Sequence, residues 1–309
     1  MSTQPVIAGD AAEHDVPVPY LERTRRYYQA LGYGAPYRWA HYAQVPFQRL
    51  ARPLADCTIA LVTTAALRRP EDGDPEPGSA YHAKGKFDAV YSAASAHDPA
   101  LRIDHVAIDF QHTTASDPNS WFPLAALQRA AAGGRVGAVA ARFHGMPTNR
   151  SQRRTLEVDV PELVARCRAD RADAVLLLPN CPVCHQTLAL AARALEAAGI
   201  ATVVMGCAKD IVERVGVPRF LFSDFPLGNA AGRPHDLASQ ETTLALALEL
   251  LQAAPAPRTT VQSPVRWSDD PAWKLDYANV DRLEPEEIAR RRRAFDRAKA
   301  DAKAVRASR

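Results

Sequence analysis

The sequence predicts an α/β protein built on a mainly parallel sheet with flanking helices. From about residue 156 to residue 254, apolar runs of strand length alternate with helix-length stretches. Such alternation is typical of parallel sheets, because consecutive parallel strands are joined by crossovers that usually contain a helix. A less regular series covers the first half of the chain, so the two series would fit two similar Rossmann-like halves.

Four segments are predicted along the chain. Residues 1–50 are rich in aromatics and arginine from about residue 17 onward, which predicts an irregular N-terminal arm with one short helix. Residues 51–150 are assigned to the first α/β half and residues 151–255 to the second. Residues 256–309 are predicted to form a coil containing proline and tryptophan, and then a charged C-terminal helix over 284–306.

The individual elements follow from hydropathy and from helix-stop residues. In the first half, CTIALVTTA (57–65) is an apolar run and DHVAIDF (104–110) alternates in hydropathy, so both predict strands. FPLAALQRAAAGG is a helix closed by Gly133 and Gly134, and VGAVAARF is a further strand. The second half is predicted to hold the strands DAVLLLP, IATVVMG and PRFLFSD between the helices VPELVARCRAD, CHQTLALAARALEAAG, KDIVERVG and DLASQETTLALALELLQAA.

Composition limits the classes of protein that fit. With 309 residues, of which 47% are hydrophobic and 24% charged, the chain resembles an ordinary soluble globular protein. It has no run of 18 apolar residues, so no membrane association is expected. The N-terminus lacks the basic and apolar regions of a secretory signal, and five cysteines do not make a disulfide framework. A reducing cytoplasm is therefore the expected location.

The basic charge is concentrated at the C-terminus. Residues 288–309 carry nine basic and two acidic side chains, a net charge of +7, so the other 287 residues carry −4 of the chain's total of +3. The tail lacks the interleaved aromatics of single-strand nucleic-acid binders. We therefore expect a solvated surface helix and no nucleic-acid partner.

Several reactive side chains fall at the ends of predicted strands. Thr63 and Thr64 follow the first strand, Asp109 lies near the end of DHVAIDF, and Cys181 and Cys207 follow two strands of the second half. Ligands of open parallel sheets bind beyond the carboxyl ends of the strands. These residues are therefore candidates for a common site.

The motif CPVC (181–184) stands on a strand-to-helix turn. Cys181 falls at the expected N-cap, Pro182 at the first helical position, and Cys184 in the first turn. Unpaired amides and the positive end of the helix dipole stabilise a thiolate there, so Cys181 is predicted to be a nucleophile or a redox partner. The alternative is that the two cysteines are only small buried residues at a turn.

Zinc is the other alternative for these cysteines. A structural zinc ion needs four ligands, and no second Cys-x-x-Cys pair exists. His185 follows the pair, and Cys207 would stand on a neighbouring strand, so a three-cysteine site is conceivable. No cofactor is expected, and zinc is kept as the alternative.

A second set of polar residues precedes the first predicted helix. On an extended strand, His105 and Asp109 would share a face but stand about 13 Å apart, so they could not bind one metal ion with His112. His105 would equally fit a core histidine, and Asp117 a turn or cap residue in the DPN sequence.

Three segments together resemble the selenoprotein B family of glycine, sarcosine and betaine reductases, which also includes the D-proline reductase selenoprotein. They are HVAIDFQHTTASDPNSWFPLAAL (105–127), PNCPVCHQT (179–187) and FPLGN (225–229), and the resemblance spans roughly residues 50–255. In the glycine reductase branch the reactive loop begins with selenocysteine, followed by cysteines three and six residues later. Here Cys181 and Cys184 occupy the first two of these positions and Thr187 the third.

The resemblance implies a thiol-dependent reductase. Cys181 would attack a small substrate, and Cys184 would resolve the adduct as a disulfide that a thioredoxin-like donor reduces. His105, Asp109, Asp117, Thr63 and Thr64 would bind substrate or transfer protons. The substrate would be a small amine, an amino-acid derivative or a sulfur compound, and association into a homo-oligomer stays open.

Two other functions are considered. A cofactor-independent racemase would need one thiol on each half, and the first half offers Thr63 or Thr64 instead. A non-catalytic zinc- or thiol-binding protein would hold stoichiometric metal whatever its redox state.

Overall fold

The computed structural model describes residues 15–69, 85, 87–96, 98–105 and 107–307. The strands are β1 (Thr58–Thr63), β2 (Ala66–Leu67), β3 (Tyr91–Ala94), β4 (Leu101–Arg102), β5 (Ala138–Val139), β6 (Arg142–Gly145), β7 (Ala174–Leu178), β8 (Ala201–Gly206), β9 (Arg219–Phe222) and β10 (Thr259–Gln262). The main helices are α1 (Tyr20–Ala30), α2 (Leu124–Ala132), α3 (Val160–Ala169), α4 (Pro182–Ala197), α5 (Lys209–Val215), α6 (Leu237–Ala253) and α7 (Pro285–Ala307). A short helical turn, Gln152–Arg154, and a π-helical turn, Thr155–Asp159, lead into α3.

A single mainly parallel sheet forms the centre of the protein, which confirms the predicted α/β class. Its strand order is β10-β9-β8-β7-β1-β6-β3, with β5 pairing alongside β1. Among the described strands of this sheet, only the edge strand β3 is antiparallel to its neighbour. Strands from before and after residue 150 share the sheet, because β1 pairs with β7 over Ile59–Thr63 and Ala174–Leu178.

The order of the strands creates a switch point between β1 and β7. After β1 the chain continues to β5 and β6 on one side of β1, whereas after β7 it continues to β8, β9 and β10 on the other side. Connections that leave in opposite directions open a crevice at the carboxyl ends of the two strands. The fold therefore places a ligand-binding crevice where Thr64 follows β1 and Cys181 follows β7.

Helices cover both faces of the sheet. Ile59 and Leu61 face one core layer together with α2 and α6, whereas Ala60 and Val62 face the opposite layer together with α3, α4 and α5. Alternate residues of a strand point to opposite faces, so a strand covered on both faces becomes apolar throughout. This explains the unbroken apolar runs by which β1, β7 and β8 were predicted.

The strand predicted over residues 104–110 is wrong. β4 ends at Arg102, and the described part of 104–110 contains no strand, with turns or bends at residues 107, 108 and 110. The Asp109 N–H donates to Leu227 O, and its carbonyl accepts from His112 and Thr113, so the backbone bonds are made to a loop and locally. Ile108 and Asp109 are neighbours in the chain and both are buried, so burial here does not alternate as it would on a strand with one face exposed.

Residues from near both ends of the described chain line a cavity at the carboxyl end of the sheet, together with Thr64 and Cys181. Residues 1–14 of the predicted N-terminal arm lie outside the described part, which begins with an extended segment and α1. β10 adds an edge strand within the predicted coil, and the predicted C-terminal helix is observed as the mostly exposed α7. Within the described residues, every helix is too short or too polar to cross a bilayer.

Candidate active site

Cys181 and Cys184 stand at the N-terminus of α4, as the sequence predicted. Cys181 is the N-cap in extended backbone geometry, and Pro182 begins the helix. The two cysteines are joined in a disulfide with Cα atoms 4.9 Å apart, and the Cys184 N–H donates to Cys181 Sγ at 3.2 Å. Cys181 is 5% exposed and lines a cavity, whereas Cys184 is fully buried. The two sulfurs therefore differ in access from the cavity.

His105 lies beside this pair. One ligand atom of each of His105, Cys181 and Cys184 lies within 4.8 Å of the other two. His105 Nε2 lies 3.0 Å from Thr64 O, and because a carbonyl oxygen only accepts, this nitrogen carries the hydrogen. The structure thus brings together a histidine and two cysteines that lie far apart in the sequence.

The two threonines connect the ends of the central strands. Thr64 Oγ1 accepts from the backbone N–H and the side-chain amide of Asn180, both at 3.2 Å, and so ties the end of β1 to the residue before Cys181. Thr63 is fully buried and its Oγ1 accepts from Ala65 N–H. Of the two, Thr64 lines the cavity. A threonine, and not a thiol, therefore stands opposite Cys181, which disfavours a two-thiol racemase.

Asp109 also lines the cavity and is 2% exposed. Its carboxylate contacts His112 Nδ1 at 3.0 Å, and His112 Nε2 contacts Asp276 at 3.1 Å. Burial raises the pKa of Asp109, and the adjacent His112 opposes this effect. Asp109 is thus a buried carboxyl group with one side toward the cavity and one toward a histidine.

Asp117 is placed differently from the other candidates. It lies outside the described lining of the cavity and caps the short 3-10 helix Pro118–Ser120. Burial tends to raise the pKa of Asp117, but hydrogen bonds from His235 N–H, Asn119 and Gln240 outweigh it and lower the pKa. The carboxylate therefore joins three chain segments, in agreement with the cap alternative.

His185 fixes the position of the cysteine loop, a role that the sequence analysis did not predict. Its Nδ1 lies 2.8 Å from Cys181 O, and its Nε2 accepts from the N–H groups of Cys207 and Ala208 at 3.0 and 3.2 Å. A Cβ at Gly206 would lie 2.8 Å from the ring, so glycine makes room for the histidine. Burial raises the pKa of the Cys207 thiol to about 12. Among the described residues, the possible metal ligands that lie together are His105, Cys181 and Cys184, so Cys207 does not complete the conceivable three-cysteine zinc site.

Thr148 is a second contact that the sequence analysis missed. It follows β6, lines the cavity, and its hydroxyl donates to Cys184 Sγ at 3.4 Å. Its position just beyond the carboxyl end of a parallel strand is the signal that could have identified it.

The cavity has a volume of about 1450 Å³. Its wall includes basic side chains, namely Arg25, Arg150, Arg214, Arg291 and Lys299, and acidic ones, namely Glu22, Asp104 and Asp109. One face of α7 completes the wall, at helical spacing, with Arg291, Ala294, Phe295, Ala298 and Lys299. Phe295 packs edge-on against Tyr28 and Tyr33 of the arm. Both chain ends thus help to enclose the cysteine pair.

Fold and site together define an α/β protein with a cysteine pair on a helix N-terminus at the switch point of a parallel sheet. The chain is 26% identical over 221 residues to the D-proline reductase subunit gamma of Acetoanaerobium sticklandii, and the match covers 71% of this chain and 88% of the relative. This similarity supports a related reductase family and a reductase-like function, but it does not single out one member. No family model and no solved structure matches the chain.

The buried His185 should make folding sensitive to acid. Burial lowers the pKa of His185 to about 4, whereas an unfolded histidine titrates near 6.5. Between these values the unfolded chain binds more protons, so stability should fall as the pH decreases from about 6.5 to about 4, by up to about 1.4 kcal/mol per pH unit from this group.

Urea unfolding of the wild type and of His185→Gln at several pH values measures this effect. The variant should show a shallower loss of stability below about pH 6.5. The stability of His185→Gln should still fall somewhat as the pH decreases, since burial also lowers the pKa of His144. The matched control is His41→Gln, at an exposed position, which should retain the wild-type slope. Equal slopes in all three proteins would contradict the expectation.

Proposed function

We propose that this protein is a thiol-dependent reductase that cleaves a bond in a small amine, an amino-acid derivative or a sulfur compound. Cys181 is the nucleophile and Cys184 the resolving thiol. The observation that carries the proposal is the difference between the two sulfurs, since Cys181 lines the cavity and Cys184 is buried behind it within disulfide distance. The similarity to a reductase subunit supports the same class of reaction.

Two steps complete the proposed reaction. The Cys181 thiolate first attacks an activated substrate carbon, and the bond from that carbon to its nitrogen or sulfur leaving group breaks, with the electron pair and one proton going to the leaving group. The Cys184 thiolate then attacks Cys181 sulfur, and the sulfur–carbon bond breaks, with the electron pair and a second proton going to the carbon. Two thiols are thereby oxidised to a disulfide while the substrate is reduced.

The neighbouring side chains suit the needs of these steps. The N–H of Cys184 and the helix dipole stabilise negative charge on Cys181 sulfur before the attack. One ring nitrogen of His105 lies within 4.8 Å of both sulfurs, so His105 is the candidate base that takes the thiol proton and returns it to the leaving group, directly or through one water molecule. Asp109, a buried carboxyl group in the cavity wall, is the candidate donor of the second proton.

Each turnover requires reduction of the disulfide from outside. A donor thiolate of the thioredoxin type would attack Cys181, because this sulfur lines the cavity. The cavity, at about 1450 Å³, exceeds the roughly 300–1,000 Å³ typical of small-molecule sites, so a donor side chain has room beside the cysteine. Arg150, two residues from Thr148 in the cavity wall, favours a substrate that carries a carboxylate.

The proposal is tested by trapping the first intermediate. Reduced Cys184→Ser is incubated with D-proline, sarcosine, betaine and simple thioethers, and its intact mass and peptides are measured. We expect a substrate-sized adduct on Cys181, since the resolving thiol is missing. Cys181→Ser should give no adduct, and Cys57→Ser should accumulate disulfide like the wild type. The proposal would be contradicted if Cys184→Ser formed no adduct and the wild type also formed no disulfide when substrate was added.

A further inference from the structure

We propose that the reduced cysteine pair and His105 bind one thiophilic divalent cation, with Zn²⁺ as the reference ion, and that metal binding and the disulfide exclude each other. The inference rests on the proposed function in one respect, since both require the thiols to be reduced at one stage. It adds a form of regulation at that site: an ion bound to Cys181 sulfur would prevent its attack on substrate.

The three ligand atoms are already gathered for a single ion. They lie within 4.8 Å of one another. Zinc bonds of about 2.3 Å to sulfur and about 2.0 Å to nitrogen place neighbouring ligands of a tetrahedral ion roughly 3.5–4 Å apart. Once the sulfur–sulfur bond is broken, small side-chain rotations would therefore suffice to bring them to this spacing.

The chemistry of these ligands matches a soft cation. Thiolate and imidazole are preferred by zinc, whereas magnesium and calcium prefer oxygen. Two thiolates also balance the charge of a divalent ion in a largely buried setting, since Cys184 is inaccessible and Cys181 nearly so. Because His105 Nε2 donates to Thr64 O, Nδ1 would be the nitrogen that binds the ion, and the bond to Thr64 would orient the ring as partners of metal-bound histidines commonly do.

The fourth coordination position would face the cavity. Among the described histidine, cysteine, aspartate and glutamate residues, none besides His105, Cys181 and Cys184 joins this group. Three protein ligands with an open position are typical of exchangeable or catalytic zinc, and structural sites usually have four. Water or a small anion from the cavity would therefore complete the coordination.

Oxidation would release the ion. Binding of Zn²⁺ displaces one proton from each thiol. When diamide takes two electrons from the two thiolates, they form the disulfide, diamide becomes the hydrazine with two protons from water, and the ion is released. The pair would thus be protected by metal under reducing conditions and freed of it on oxidation.

Metal binding is measured on the full chain, reduced, desalted and loaded with Zn²⁺ or Co²⁺. We expect one ion per chain, submicromolar affinity, and for Co²⁺ a thiolate charge-transfer absorption. Diamide should release the ion. His105→Gln should weaken binding by about tenfold or more. Cys57→Ser should bind like the wild type. Cys57 directly precedes β1 and lies at the opposite end of that strand from the cysteine pair.

The outcomes separate this inference from the proposed function. If Cys181 forms a substrate adduct but the protein shows no measurable affinity for Zn²⁺, the metal site is overturned and the reductase proposal stands. Unchanged affinity in His105→Gln, or metal retained after complete oxidation of the pair, would also overturn it. Zinc binding as expected, but without any adduct on Cys181, would support the metal site while the reductase proposal fails.

Discussion

Iodoacetamide should label the reduced protein first at Cys181, and Cys181→Ser should lower the labelling rate at neutral pH by about tenfold or more. The reason is the local geometry. Cys181 faces the cavity at the N-terminus of α4 and accepts a hydrogen bond from the Cys184 N–H, whereas Cys184 is fully buried. The remaining cysteines, Cys57, Cys167 and Cys207, are buried as well and should react slowly.

The pH dependence of labelling gives the prediction a second, independent test. The labelling rate of Cys181 should reach half its maximum below about pH 8.5, the value for a free thiol, because the helix terminus stabilises the thiolate. Cys184→Ser should keep this fast phase, since its backbone N–H remains. Cys57→Ser is the control for the loss of a thiol away from the site. First labelling at Cys184, or no labelling of either cysteine in the folded reduced protein, would show that the assigned roles are wrong.

Glu196→Ala should lower the free energy of unfolding by about 3–5 kcal/mol, since it leaves a buried arginine without its partner. Glu196 and Arg219 are both buried and their side chains meet at 2.8 Å. Glu196 also accepts from the N–H and hydroxyl of Thr202 and from the N–H of Gln48. One carboxylate thus joins the end of α4 to two strands and to the arm.

Chemical denaturation of the wild type and the variant gives the measurement. Glu249→Ala is the matched control, because this glutamate lies in a long helix but is exposed, and its loss should change stability by less than about 0.5 kcal/mol. A loss of under about 1 kcal/mol in Glu196→Ala would indicate that water or a rearranged side chain replaces the carboxylate.

The central strands could be predicted from sequence because their burial is complete. β1, β7 and β8 are covered by helices on both faces, so nearly every residue is apolar and the pattern cannot be mistaken for a surface element. The start of α4 could be predicted equally well, since proline at the first helical position and a cysteine N-cap are local features. Residues 104–110 were mispredicted because their backbone partners, such as Leu227, are remote in sequence.

By itself, the sequence determined the α/β class, the buried central strands and the position of the cysteine pair at a helix N-terminus. Each of these depends on neighbours a few residues away or on uniform burial. Only the tertiary structure decided that His105 lies beside the two sulfurs, that His185 holds the loop, and that one face of α7 lines the cavity. These contacts join segments far apart in the chain, and their geometry depends on strand order and on the path of turns, which hydropathy does not encode.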